Sequence, residues 1–158
     1  IISSIENIEE RAEYVRDGLK WTNFIENFNF HSQQADSHNI KMTLNAFSVI
    51  NITEFFKYFK NYNTQVMYNF VKQKFWRMDI LDDSFKAEIE KLSNYIEDNN
   101  LQKMFGNTLW YKKLSSNIIN DKDNAKVFRS AITHHDQLKN KNWRLIFPEY
   151  CDWFDKIN

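Results

Sequence analysis

Ile40-Lys41-Met42-Thr43-Leu44-Asn45-Ala46-Phe47-Ser48-Val49 carries the alternation that decides the fold class. Ile40, Met42, Leu44 and Ala46 alternate with Lys41, Thr43, Asn45 and Phe47, the period-two pattern of a strand. Outward from it, Ile1-Ile2-Ser3 reads as a short strand stub. Gln65-Val66-Met67-Tyr68-Asn69-Phe70-Val71 reads as a third strand, again rich in strand formers. Helical patterns lie between them. Trp21, Phe24, Ile25 and Phe28 fall at helical spacing behind the turn signal Asp17-Gly18. Asn51-Ile52-Thr53-Glu54 opens a second helix with Phe55, Phe56 and Phe59, capped by Asn51 or Thr53. Strands joined by connections this long are expected to run parallel, with right-handed crossovers.

From Asp82 the pattern is helical. Asp82-Asp83-Ser84 starts a helix with Phe85, Ile89, Leu92 and Ile96 on its apolar stripe and acidic residues at its positive end. A second begins at Asp121 and carries Ala125, Phe128 and Ile132, extending to Leu138. Met104 to Leu114 is aromatic with no clear period. Pro148 ends one segment or begins a last helix over Glu149–Phe154. The chain thus divides into 1–81, strands alternating with helices, and 82–158, a helical region.

The 158 residues fit one domain, large enough to bury a continuous core. Lys+Arg and Asp+Glu are both 21, so the net charge is zero, which argues against a nucleic-acid binder with a basic face. No apolar run approaches the ~20 residues of a membrane helix. With no secretory signal either, a cytoplasmic protein is expected. The single cysteine, Cys151, rules out an internal disulfide and any thiolate-held cluster made by this chain alone. Only Gly18 and Gly106 are glycines, so no Gly-rich nucleotide loop can be built.

Two or three parallel strands make a poor free-standing sheet, because parallel sheets need both faces covered and their edges paired. A strand stub at Ile1 with no initiator methionine therefore predicts a missing N-terminal half. In α/β barrels, ligands sit at the carboxyl ends of the strands. Ser4, Asn45 and Asn69 occupy such positions and offer neutral hydrogen-bonding groups. Arg16 adds a cation able to hold a carboxylate in bidentate fashion. His134-His135-Asp136 could suggest a metal, but adjacent helical side chains diverge by about 100°, and a solvated helix end is the better expectation. Trp110-Tyr111-Lys112-Lys113 could stack on a base, but core packing of its aromatics is preferred.

Ser4-Ile5-Glu6, Glu13-Tyr14-Val15-Arg16-Asp17-Gly18 and Trp21 resemble the fourth-strand region of radical S-adenosylmethionine enzymes. The similarity is to the phage- and bacteria-associated type with a short twitch-like C-terminal region. Asn45-Ala46 and Ser48-Val49, leading to a helix near Asn51, are similar to the family's next strand. Asp136, Leu138, Asn142-Trp143 and Phe147-Pro148-Glu149 resemble its closing segment. The likeness runs in order over most of the chain. Glu6 replaces the usual aspartate, Lys139 stands where arginine is frequent, and the Cys-x3-Cys-x2-Cys loop is absent.

The resemblance implies the C-terminal half of a partial (β/α)6 TIM-like barrel, followed by an α-helical C-terminal region. It implies S-adenosylmethionine and a [4Fe-4S] cluster as cofactors of the complete protein, whose cluster ligands this chain lacks. Ser4 and Arg16 would meet the methionyl amino and carboxylate groups; Asn45 and Asn69 would approach the ribose and adenine. The family's reaction is reductive cleavage of S-adenosylmethionine to a 5′-deoxyadenosyl radical that abstracts hydrogen. It needs an external electron donor, the missing barrel half and a substrate that one sequence does not name. This chain alone is expected to be inactive. The alternative is a non-catalytic α-rich protein-binding module, such as a phage accessory protein, gripping its partner with exposed aromatics.

Overall fold

The computed structural model describes residues 1–106 and 108–157. In order, it contains β1 (Ile2–Ser4), α1 (Glu9–Val15), α2 (Trp21–Gln34), β2 (Asn39–Leu44), α3 (Ala46–Val49), α4 (Ile52–Phe59) and β3 (Val66–Phe70). After them come α5 (Lys86–Asp98), α6 (Lys122–Lys139), α7 (Trp143–Ile146) and α8 (Cys151–Asp155), with short 3-10 turns between. The architecture is α/β, and the strands form one open sheet in the order β1-β2-β3, every pair parallel. The expected strand–helix succession is therefore present.

Several boundaries differ from expectation. The central strand does not reach Val49. At Asn45 the side-chain Oδ1 accepts from the Phe47 backbone N–H (2.9 Å), and Ser48 Oγ accepts from the Asn45 N–H (3.3 Å). This reciprocal cap satisfies the free donors of a helical turn and ends the strand. Ala46 is buried as the alternation requires, but from a helix. Neither Asn51 nor Thr53 caps α4 through its side chain. Asn51 instead takes a left-handed backbone (φ 71°) that turns the chain between α3 and α4. Leu138 is exposed on the outer side of α6, whereas Ala125, Phe128 and Ile132 are buried as expected. Pro148 starts a 3-10 turn leading into α8. The stretch around Met104–Leu114 forms two 3-10 segments, Gln102–Phe105 and Trp110–Asn117, which bury Trp110 and Tyr111 in the core.

The sheet has two unlike faces. Side chains of paired residues in parallel strands share a face. On one face Ile40, Met42, Leu44 and Val66 are buried. There His38 ties three elements together: Ser3 Oγ lies 2.7 Å from its Nε2, Ser32 Oγ of α2 lies 2.8 Å from its Nδ1, and its ring packs 4.2 Å from that of Phe28. On the other face Ile2, Ser4, Lys41, Met67 and Asn69 are all exposed, and Thr43 is half-buried.

The helical region closes the buried side, and residues 1–81 and 82–158 share one continuous core. Its contacts are largely aromatic. Phe47 stacks on Phe147 (4.4 Å), Phe56 on Phe105 (4.7 Å), and Tyr68 on Trp110 (4.4 Å). The buried Tyr150 hydroxyl donates to the Ala46 carbonyl and accepts from the Ile50 N–H. Among the described residues the ring contacts fall into two networks, one running through Phe28, Phe59, Phe55, Phe56 and Trp110, the other joining Tyr14, Phe47, Phe128, Phe147 and Tyr150, while Phe30 and Phe70 stay exposed.

Candidate functional site

Ser4 and Asn69 both lie on the open face, on the two strands flanking β2. Register sets Ser4 beside Lys41, Lys41 beside Met67, and Thr43 beside Asn69. With strands about 4.8 Å apart and Asn69 two residues further along its strand than the position level with Ser4, the two stand about 12 Å from one another across the sheet. Lys41, which the sequence reading passed over as a strand position facing outward, is the cation between them. It makes no ion pair among the described residues.

Arg16 sits just past α1, where its guanidinium is engaged by Glu6, two residues beyond Ser4. Nε donates to Glu6 Oε2 and Nη2 to Oε1, both at 2.6 Å. Glu6 is only 4% exposed, so this fork supplies the cation that makes its burial tolerable. The same contact raises the Arg16 pKa above its ordinary value, against the opposing effect of burial. Of the five guanidinium N–H donors, Glu6 takes two on one edge. The Nη1 side is left, and the side chain is 37% exposed.

Asn45 is separate from this group. Its amide caps α3 and donates to the Thr43 carbonyl (3.2 Å), while its outer surface lines a cavity of about 330 Å³ at the carboxyl ends of β2 and β3. Tyr14, Phe47 and Trp76 supply aromatic walls there, and Gln73 and His135 add polar groups. The structure thus brings Ser4 and Asn69 to one face, ties Arg16 to Glu6, and puts Asn45 at a separate cavity.

The cavity's back wall is a hydrogen-bonded unit that sequence reading did not assemble. The Tyr14 hydroxyl donates to Asp136 Oδ1 (2.6 Å), and Asp136 Oδ2 accepts from the Trp143 N–H (2.7 Å). His135 Nδ1 lies 3.5 Å from the Tyr14 oxygen, with the two rings edge-on at 5.4 Å. Burial, followed by the hydrogen bond to the Asp136 carboxylate, drives the Tyr14 pKa far above the usual phenol range. Asp136 and His135 are therefore not a solvated helix end; only His134 is exposed. The Glu13-Tyr14-Val15-Arg16 motif was the available signal, since Tyr14 and Arg16 lie on the same short segment and serve the two neighbouring sites.

Among the described residues no group of three or more His, Cys, Asp or Glu side chains could hold a metal ion. No helix of the described residues is long and apolar enough to cross a membrane. No family model, curated protein or solved structure matches the chain.

Proposed function

We propose that this chain is the C-terminal portion of a radical S-adenosylmethionine enzyme, contributing late strands of a partial barrel and part of the S-adenosylmethionine site. The observation that carries the reading is the one-sided sheet. Three parallel strands in sequential order have helices packed on one face only, while Ser4, Lys41, Thr43 and Asn69, with the apolar Ile2 and Met67, line the other. An arc of a barrel has this disposition, with helices outside and a polar lumen inside. The free Nη1 edge of Arg16 suits the carboxylate of a methionyl group, and the exposed Ser4 hydroxyl suits its ammonium. Asn45 and its aromatic-walled cavity suit a planar ring.

The residues present do not fit the iron–sulfur cluster. One cysteine, Cys151, half-buried in α8, supplies no three-thiolate set, so in this reading the cluster ligands belong to the other barrel half. What this chain contributes is orientation: Arg16, clamped by Glu6, holds a carboxylate at a fixed place, and Ser4 takes an adjoining polar group.

The test is made on the polypeptide of the complete reading frame, reconstituted anaerobically with iron and sulfide. A three-cysteine loop in that frame and 5′-deoxyadenosine formed on reduction are the expected results. Arg16→Lys, which keeps the charge beside Glu6 but loses the fork, should weaken S-adenosylmethionine binding about tenfold with unchanged iron content. A frame that starts within a few residues of Ile1, with no cleavage product, overturns the reading in favour of a protein-binding module.

A further inference from the structure

β3 is one of the two edges of the sheet, and no strand lies on its outer side among the described residues. Gln65 O accepts from the Ile40 N–H (2.8 Å), and Leu44 O accepts from the Val71 N–H (3.0 Å). In a parallel ladder of this register, Gln65, Met67, Asn69 and Val71 turn their backbone groups toward β2. Val66, Tyr68 and Phe70 therefore turn three N–H and three C=O groups outward, and none of these has a hydrogen-bond partner among the described residues. Edges are ordinarily kept from pairing by short length, charged side chains, proline or a bulge. β1 is guarded by its length of three residues. β3 has five, Val66-Met67-Tyr68-Asn69-Phe70, with no charge, no proline and an unbroken register against β2. Apolar side chains stand beside this edge on both faces. Met67 is 38% exposed on the open face and Phe70 41% on the helical one, where Trp110 stacks on Tyr68 (4.4 Å) and leaves Phe70 uncovered.

We propose that β3 pairs antiparallel with β3 of a second copy of this chain. A row of free backbone donors and acceptors is met in full only by another extended backbone. The outward groups of Val66, Tyr68 and Phe70 are symmetric about Tyr68, so a two-fold axis at that residue sets Tyr68 against its own counterpart and Val66 against Phe70. Every outward group of each copy then meets one of the other. β1 turns only Ile2 and Ser4 outward, so the same pairing with that edge would leave part of β3 unmet. The side chains agree with this choice of partner. Val66 of one copy lies beside Phe70 of the other, Met67 lies beside Asn69, and no like charges meet. The contact leaves the β1 edge free and does not depend on the barrel reading.

The test is sedimentation equilibrium of the chain from about 10 µM to about 1 mM, with amide hydrogen exchange followed by NMR. A five-residue edge is a small contact, so a reversible dimer with a Kd of about 100 µM is expected. Across that range the average mass should rise from one chain toward two, and exchange at the Val66, Tyr68 and Phe70 amides should slow about fourfold. Phe70→Pro removes one outward N–H and leaves the β2 ladder whole, and it should weaken association at least about tenfold. Unchanged spectral dispersion establishes that the variant is folded. If it is not, the double variant Met67→Glu, Asn69→Glu carries the same test on exposed side chains, because it sets carboxylates opposite one another across the pairing; its association should recover in salt. A single chain's mass at about 1 mM, a dimer undiminished in the folded variant, or a dimer in which the three amides exchange no more slowly overturns the proposal.

Discussion

The two faces of the sheet differ more than any other pair of regions in the molecule. One is sealed by two groups of packed aromatics, one around Phe28 and Phe59 and one around Phe47, Phe147 and Tyr150, with His38 bonded to hydroxyls on both sides. The other shows Ser4, Lys41, Met67 and Asn69 to solvent. The same three strands make both, because successive side chains point in opposite directions. The contrast separates labour. Stability resides on the helical side, where apolar area leaves water, and the open side is free to carry recognition because little of the fold depends on it.

Disrupting the sealed face should have the largest effect. Phe47 packs against Tyr14, Trp76, Phe128, Phe147 and Tyr150. Phe47→Ala therefore removes a ring from the junction of both halves, and a loss of about 3–5 kcal/mol is expected in urea unfolding. A loss below about 1 kcal/mol would show that the two portions of the chain are not held by this group of rings.

An intermediate effect comes from His38. Burial, with a smaller contribution from His31, holds its pKa below the ordinary 6.5. The unfolded chain takes up the proton more readily than the folded one. Stability is therefore fully present above about pH 6.5 and declines as pH falls toward the lower folded value. The slope is at most about 1.4 kcal/mol per pH unit. Urea midpoints between pH 7.5 and 5 should show this decline, and His38→Gln should flatten its share of it. An unchanged pH profile in the variant would remove His38 as the source.

The smallest effect belongs to the open face. Ser4→Ala and Asn69→Ala should each leave stability within about 0.5 kcal/mol. A loss beyond about 1 kcal/mol from either would mean that this face is covered in solution, and the contrast between the faces would fail.

Much of the architecture is legible in particular residues. The alternation at Ile40, Met42 and Leu44 marks the central strand. Ile89, Leu92 and Ile96 mark the face that α5 buries, whereas Phe85 of the expected stripe is buried from the 3-10 turn before the helix. Legibility stops where one side chain decides between two local structures. Ala46-Phe47-Ser48-Val49 has strand composition, but the Asn45 cap makes it a helical turn. Strand propensity is a weak preference compared with the satisfaction of backbone donors.

For the site, Ser4, Arg16, Asn45 and Asn69 were readable as polar residues near strand ends. The unit behind the Asn45 cavity was not, because Asp136 reaches Tyr14 across more than a hundred residues of sequence.

The sequence by itself determined the period of the central strand and of the long helices, the parallel direction of the strands and the identity of the polar groups at their ends, because side-chain spacing is a local property. The tertiary structure decided that Arg16 is clamped by Glu6, that His135 and Asp136 stand behind Tyr14 at a cavity, and that one face of the sheet is open. Those outcomes depend on which distant segments meet and which charges lose their water, and both are settled only by the packing of the whole chain.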